Sequence, residues 1–126
     1  MIELFPTVLV IDDDPSVRIS LVAYLEDEGF EVMSADSGER GLEIIASTPP
    51  QLAIVDMRLP GIDGNEVIVR AHAANPDIKF IILTGSYDYV IPSAIEDAGL
   101  TPANVMQKPV ADMDDIVQTI LRIVKG

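Results

Sequence analysis

Five short apolar segments alternate with segments of helical periodicity, and this alternation restricts the fold more than any other feature of the sequence. The apolar segments are four to six residues long and rich in Val and Ile, and they lie at Thr7–Ile11, Phe30–Ser34, Leu52–Val55, Ile78–Leu83 and Ala103–Gln107. Segments of this length and composition are typical of strands that are buried on both faces of a parallel sheet. The sequence therefore predicts five strands.

The segments between these strands repeat their apolar residues at helical spacing. They predict helices at Pro15–Glu28, Gly38–Ala46, Glu66–Ala74, Ile91–Ala98 and Met113–Val124. Asp14 is suited to capping the first helix, and Pro15 is suited to its first helical position. The last helix begins among aspartates and ends near Arg122 and Lys125, which matches the helix dipole at both ends.

Five alternating strand and helix units predict an α/β protein with a (βα)₅ doubly wound parallel sheet, because right-handed crossovers leave few other arrangements. The expected strand order is 2-1-3-4-5, which is flavodoxin-like. In that order strands 1 and 3 are neighbours at the point where the order reverses, and ligands bind beyond the carboxyl ends of the strands at this point. A chain of 126 residues is long enough for one such domain and too short for two.

The composition limits the classes of partner. Eight basic and 21 acidic residues give a net charge of −13, which argues against binding nucleic acid or anionic membranes through this chain. A cation or a basic protein surface is the expected partner. The sequence has no cysteine, no signal-peptide pattern and no apolar segment long enough to span a bilayer, so we expect a cytoplasmic protein without disulfides.

Polar side chains follow four of the five predicted strands. They are Asp12, Asp13 and Asp14 after strand 1, Asp56 after strand 3, Thr84 after strand 4 and Lys108 after strand 5. Two carboxylates about 5 Å apart repel by about 3 kcal/mol at an effective dielectric constant of 20, so a cation, a lysine, a helix N-terminus or solvent must offset the repulsion. Carboxylates with one lysine and one hydroxyl suit Mg²⁺ together with a phosphoryl group.

Four segments carry a specific family resemblance. In order and in approximate spacing, VLVIDDDP, LAIVDMRLPGIDG, FIILTGS and VMQKPV resemble the receiver domain of bacterial two-component response regulators. The resemblance covers essentially all of the sequence and implies a single receiver domain over residues 1–126, with no effector domain in this chain. It implies a signalling module that accepts a phosphoryl group and changes conformation to control a downstream protein partner or an effector domain.

The resemblance also implies the donor and the metal site. A histidine kinase or a phosphotransfer protein would pass its phosphoryl group to Asp56, and Mg²⁺ would be required. Asp12 and Asp13 match the family's metal-site acids, with Asp13 and Asp56 as direct ligands and Asp12 acting through water. The backbone carbonyl of Arg58 would be a further ligand. No separate substrate is implied, so we do not expect an enzyme in the usual sense. The resemblance also allows a homodimer.

Lys108 and Thr84 match the phosphate-binding lysine and the hydroxyl that responds to phosphorylation in this family. Pro109 is expected to follow a cis peptide bond, which only a bond before proline reaches at low energy. These roles agree with the chemistry, because phosphoryl transfer depends mainly on positioning and on neutralising charge around the nucleophile.

One position departs from the family pattern. The family usually has Tyr or Phe three residues before the lysine, and this sequence has Val105. Either Tyr87 or Tyr89 takes over the role of the missing ring in switching, or the output does not use a ring rotation. The stretch at residues 99–108 is also about two residues longer than the family pattern.

Three other functions compete with phosphoacceptor signalling. A phosphatase with a carboxylate nucleophile would need a second acid two residues after it, where this chain has Arg58. A flavin-binding electron carrier would need a phosphate-binding loop rich in Gly, Ser and Thr after strand 1, which is missing from the sequence. A receiver-like interaction module that works without phosphorylation is the main alternative, because Val105 replaces the usual aromatic residue.

Overall fold

A computed structural model describes residues 5–125 of the chain. Five parallel strands form one sheet in the order β2-β1-β3-β4-β5. The strands are β1 (Thr7–Ile11), β2 (Glu31–Ala35), β3 (Leu52–Asp56), β4 (Lys79–Thr84) and β5 (Val105–Gln107), and the α-helices are α1 (Pro15–Asp27), α2 (Gly38–Ser47), α3 (Gly64–Ala74), α4 (Ser93–Asp97) and α5 (Met113–Lys125). The predicted α/β class and strand order are confirmed. None of the helices among these residues has the length and apolarity needed to cross a membrane.

The strands direct successive side chains into two apolar clusters, one on each face of the sheet. In β1, Leu9 and Ile11 belong to the cluster that is covered by α2, α3 and α4, whereas Val8 and Val10 belong to the cluster covered by α1 and α5. All four side chains are fully buried, and each contributes roughly 1.5–3 kcal/mol relative to an exposed position. Burial on both faces explains why the strands are apolar without alternation.

The first helix begins as the sequence predicts. Asp14 is its N-cap, and the Asp14 carboxylate accepts hydrogen bonds from the backbone N–H groups of Ser16 at 2.9 Å and Val17 at 3.4 Å. The pKa of Asp14 is lowered from 3.8, because the Ser16 hydroxyl and the N–H groups of Val17 and Ser16 donate to it. The charged cap therefore stabilises the fold fully above pH 3.8, and this stabilisation is lost as the pH falls through the lowered pKa of Asp14.

The segment between β4 and β5 differs most from the prediction. The expected helix at Ile91–Ala98 is shorter and spans only Ser93–Asp97, because Pro92 is its N-cap in an extended conformation and Gly99, at a φ of 95°, follows its end. The expected strand at Ala103–Gln107 begins two residues later, at Val105. Its first two residues belong to a 3₁₀ helix.

A 3₁₀ helix at Pro102–Asn104 directly precedes β5 in this segment. Thr101 and Asn104 form a reciprocal capping box around it. The Asn104 amide donates to the carbonyl oxygen of Phe80 at 2.9 Å, and the Arg122 guanidinium donates to that of Ala103 at 2.9 Å. These bonds attach the 3₁₀ helix to β4 and to α5.

Candidate functional site

The carboxyl ends of four strands bring the predicted site residues to one edge of the sheet. Asp56 is the last residue of β3 and Thr84 is the last residue of β4, while Asp12 directly follows β1 and Lys108 directly follows β5. Strands β1 and β3 are neighbours, and the strand order reverses beside them. The site therefore lies at the position that is typical of ligand binding in doubly wound sheets.

Three carboxylates form a cluster at this edge. Asp12, Asp13 and Asp56 each offer one oxygen, and these three oxygens all lie within 4.8 Å of one another. Asp12 is fully buried and Asp56 is 4% exposed, whereas Asp13 faces solvent. Oxygen donors that are open to water on one side are the kind of ligands that Mg²⁺ prefers, since this ion keeps part of its water shell. The donor set fits a magnesium ion.

Lys108 bridges two of these carboxylates. Its Nζ atom lies 3.0 Å from Asp12 Oδ2 and 3.3 Å from Asp56 Oδ2. Burial lowers the pKa of Lys108, but the hydrogen bond to Asp12 and the charges of Asp56 and Asp12 outweigh burial and raise it above 10.5. The ammonium group therefore stays charged at neutral pH and offsets part of the repulsion within the acidic cluster.

Asp56 lies in an environment that disfavours its negative charge. Burial and the nearby charge of Asp12 raise the pKa of Asp56 above 3.8, although the Arg58 N–H and Lys108 act in the opposite direction. The Arg58 N–H donates to Asp56 Oδ1 at 3.2 Å. One carboxylate oxygen thus contacts a backbone donor and the other contacts an ammonium group, and an added cation would further favour the ionised form.

The backbone of the acidic loop is held by a contact that sequence reasoning missed. The Arg18 guanidinium donates through Nη1 to the carbonyl oxygen of Asp12 at 2.8 Å, and the Asp14 N–H donates to Asp12 Oδ1 at 2.9 Å. A bond from a helix side chain to a backbone carbonyl leaves no motif in the sequence. The sequence therefore contains no pattern that identifies Arg18 as a residue of the site.

Two glycines shape the loop between β3 and α3, and one of them lies against Asp56. A Cβ atom at Gly64 would lie 2.5 Å from the carbonyl oxygen of Asp56, so only glycine lets α3 begin against the end of β3. Gly61 has a φ of 72°, which favours glycine. Next to it, the Ile62 N–H donates to the Glu39 carboxylate of α2 at 3.3 Å.

The ends of β4 and β5 are joined beside the site. The Lys108 N–H donates to the carbonyl oxygen of Thr84 at 2.9 Å, which fixes the backbone from which the lysine side chain reaches the carboxylates. The peptide bond between Lys108 and Pro109 is cis, which is the geometry that the family resemblance implies. Thr84 is 4% exposed.

The two tyrosines after β4 occupy different environments. Tyr87 is 82% exposed. Tyr89 packs against the apolar cluster below α2, α3 and α4, and its hydroxyl donates to Asn65 Oδ1 at 2.8 Å. Asn65 is a second contact residue that sequence reasoning missed, because its partner is 24 residues away along the chain. The structure thus brings Tyr89, and not Tyr87, into contact with another element.

Comparison with known proteins finds several relatives with similar sequences. The chain is 33% identical over 121 residues to the response regulator GacA of Pseudomonas aeruginosa, covering 94% of this chain and 55% of GacA. It is 36% identical over 99 residues to the transcriptional regulatory protein AfsQ1 of Streptomyces coelicolor, covering 68% of this chain and 44% of AfsQ1. The chain thus spans about half the length of these two regulators.

A solved structure of a receiver domain protein has a similar fold. A CheY-like response regulator receiver domain protein from Methanospirillum hungatei JF-1 has a TM-score of 0.83 and 30% sequence identity, covering 98% of this chain and 95% of that one. The fold and the acidic edge define the chain as a doubly wound α/β protein with carboxylates at its switch point. The response regulator receiver domain profile matches residues 8–121, so the chain belongs to the receiver domain family of response regulators.

Proposed function

We propose that this chain is a phosphoacceptor signalling module and that Asp56 receives the phosphoryl group. The proposal is carried by one observation, the convergence of the Asp56 carboxylate with Asp12, Asp13 and Lys108 at the edge of the sheet. A nearly buried carboxylate beside a fixed ammonium group and further oxygen donors matches the requirements of phosphoryl transfer, which are positioning and neutralisation of charge.

Mg²⁺ is the proposed cofactor. Asp13 and Asp56 would bind it directly, Asp12 would bind it through water, and the backbone carbonyl of Arg58 would be a further ligand. When bound, the ion would supply positive charge for the phosphoryl oxygens. The observation that supports this set is the spacing of the carboxylate oxygens of Asp12, Asp13 and Asp56 within 4.8 Å.

The chain's own residues have defined roles in the proposed transfer. A carboxylate oxygen of Asp56 attacks the phosphorus atom of a phosphohistidine, the P–N bond breaks, and the imidazole leaves and takes up a proton. Lys108 holds one phosphoryl oxygen through its ammonium group. The Thr84 hydroxyl donates a hydrogen bond to a second phosphoryl oxygen. Water later hydrolyses the acyl phosphate and restores Asp56, so the chain has no separate substrate.

The proposed partners follow from this chemistry. A histidine kinase or a phosphotransfer protein would be the donor, and the output would be a downstream protein partner or an effector domain. We propose no contact with nucleic acid through this domain, because its net charge is −13. The half-buried Val105, in place of an aromatic residue, favours a receiver-like interaction module without phosphorylation as the second candidate.

Phosphorylation of the chain by a small phosphodonor tests the proposed function directly. Incubation of the chain with Mg²⁺ and a small acyl phosphate should add one phosphoryl group, because the site supplies both the nucleophile and the counter-charges. Intact mass spectrometry would measure the adduct, and a parallel sample with excess chelator should remain unmodified. An absence of adduct in the presence of Mg²⁺ would favour the interaction module instead.

The second prediction concerns metal binding and stability. Mg²⁺ should raise the melting temperature, because binding to the folded chain at 100 times the dissociation constant contributes about 2.7 kcal/mol to the free energy of unfolding. Asp13→Ala should abolish the rise. Asp14→Asn is the matched control, because it removes a neighbouring charge but keeps a capping oxygen, and it should keep the rise. A full rise in Asp13→Ala would exclude Asp13 as a ligand.

A further inference from the structure

The loop between β4 and α4 is attached to α3 by one short side-chain contact beside the phosphoacceptor. The Tyr89 hydroxyl donates to Asn65 Oδ1 at 2.8 Å, and Asn65 lies in the first turn of α3. Both residues line a cleft of about 350 Å³ that is also lined by Arg58 and Thr84. The contact therefore joins the two segments that flank the site around Asp56.

A sequence of hydrogen bonds leads from the Thr84 side chain into this loop. The Ser86 N–H donates to Thr84 Oγ1 at 3.1 Å, and the Asp88 N–H donates to the Ser86 hydroxyl oxygen at 3.2 Å. Tyr89 is the next residue along the chain. A rotation that moves Thr84 Oγ1 away from the Ser86 N–H would therefore break the first of these bonds.

Tyr89 is suited to fixing the loop. Its ring packs against the apolar cluster, and burial and the nearby Asp63 raise its pKa above 10.0, so its hydroxyl remains a hydrogen-bond donor at neutral pH. Tyr87, two residues earlier, is 82% exposed and provides an internal comparison. The loop thus has one tyrosine that contacts another element and one that faces solvent.

We propose that the Tyr89–Asn65 hydrogen bond is a positioning contact that holds the β4–α4 loop in the arrangement of the unphosphorylated site. A phosphoryl group on Asp56 adds oxygens that need donors, and Thr84 is the neutral donor in the same cleft. When the Thr84 hydroxyl turns to the phosphoryl group, the bond with Ser86 is lost and the loop is released from α3. This inference rests on the proposed function of Asp56 and assigns the missing aromatic role to Tyr89.

The experiment uses beryllofluoride with Mg²⁺ as a stable mimic of a phosphoryl group on a carboxylate. Tyr89→Phe and Asn65→Ala should each bind it about three- to tenfold more tightly than the unmodified chain, because one net hydrogen bond of the competing arrangement is lost. Tyr87→Phe is the matched control and should bind as the unmodified chain does. Calorimetry would measure these affinities.

Two further measurements separate positioning from a general loss of structure. The double variant Tyr89→Phe/Asn65→Ala should bind no more tightly than either single variant, because both remove the same bond. The chain has three tyrosines and no tryptophan, so tyrosine emission can be observed directly. Beryllofluoride should change this emission in the unmodified chain and in Tyr87→Phe, and the change should be absent in Tyr89→Phe.

Several outcomes would overturn the inference. Unchanged or weaker binding in Tyr89→Phe and Asn65→Ala would mean that the contact does not oppose the phosphorylated form. Additive effects in the double variant would mean that the two residues act separately. Failure of the proposed function would look different, because beryllofluoride would then not bind even to the unmodified chain, and both proposals would fall together.

Discussion

Asp56→Asn is expected to abolish the phosphoryl adduct and to raise the melting temperature of the metal-free chain. The amide cannot act as the nucleophile, but its oxygen can still accept the Arg58 N–H bond that Asp56 Oδ1 accepts at 3.2 Å. The pKa of Asp56 is raised above 3.8 by burial and by Asp12, so the folded chain holds this proton more tightly than the unfolded chain. The free energy of unfolding therefore falls as the pH rises from 3.8 through the raised pKa of Asp56. Asparagine carries no charge and removes this loss of stability.

Asp56→Asn is informative because it should remove the phosphoryl adduct and yet stabilise the metal-free fold, so a loss of structure cannot explain the missing adduct. Intact mass after incubation with acyl phosphate and Mg²⁺ would measure the first effect, and thermal unfolding at pH 7 with a chelator would measure the second. Asp63→Asn is the control, because Asp63 lies in the same loop and caps α3, and this change should alter neither. An adduct of unchanged yield in Asp56→Asn would place the acceptor elsewhere, and a lower melting temperature would contradict the electrostatic cost of the charge.

The common edge of the sheet could be predicted because a strand that is buried on both faces has a clear apolar boundary. Asp56 follows four apolar residues, and Lys108 follows β5 by one residue, so the end of each strand could be read from the chain. The ion pairs at this edge could not be predicted. Lys108 contacts Asp12 across 96 residues and Asp56 across 52, and such contacts depend on side-chain directions that periodicity does not record.

The segment before β5 shows a second limit of sequence reasoning. Ala103 and Asn104 match a strand by position and apolar context, but Asn104 instead completes a capping box with Thr101 and donates to the carbonyl of Phe80. Local hydrogen bonds of Thr and Asn side chains compete with extended structure. The sequence showed only that this stretch was about two residues longer than the family pattern.

Lys108→Met is expected to destabilise the metal-free chain by about 3 kcal/mol, because it breaks an ion pair and leaves buried carboxylates without a counter-charge. Asp12 is fully buried, and Lys108 lies 3.0 Å from it. The pKa of Lys108 is raised above 10.5, so the contribution of this pair is present in full at pH 7 and is lost only as the pH rises through the raised value. Urea unfolding at pH 7 with a chelator would measure the loss.

Mg²⁺ should recover part of the stability of Lys108→Met, because the ion would supply positive charge to the same carboxylates. Lys79→Met, at the exposed start of β4, is the matched control and should change the free energy of unfolding by less than about 0.5 kcal/mol.

The decisive variant is Lys108→Met/Asp12→Asn. If the loss in Lys108→Met comes from unpaired buried charge, the asparagine should restore part of the stability, since Asp56 stays unpaired but the asparagine oxygen still accepts the Asp14 N–H bond that Asp12 accepts at 2.9 Å. A double variant that is no more stable than Lys108→Met would show that the lysine acts through packing of its side chain. The repulsion within the acidic loop would then be offset by solvent and not by Lys108.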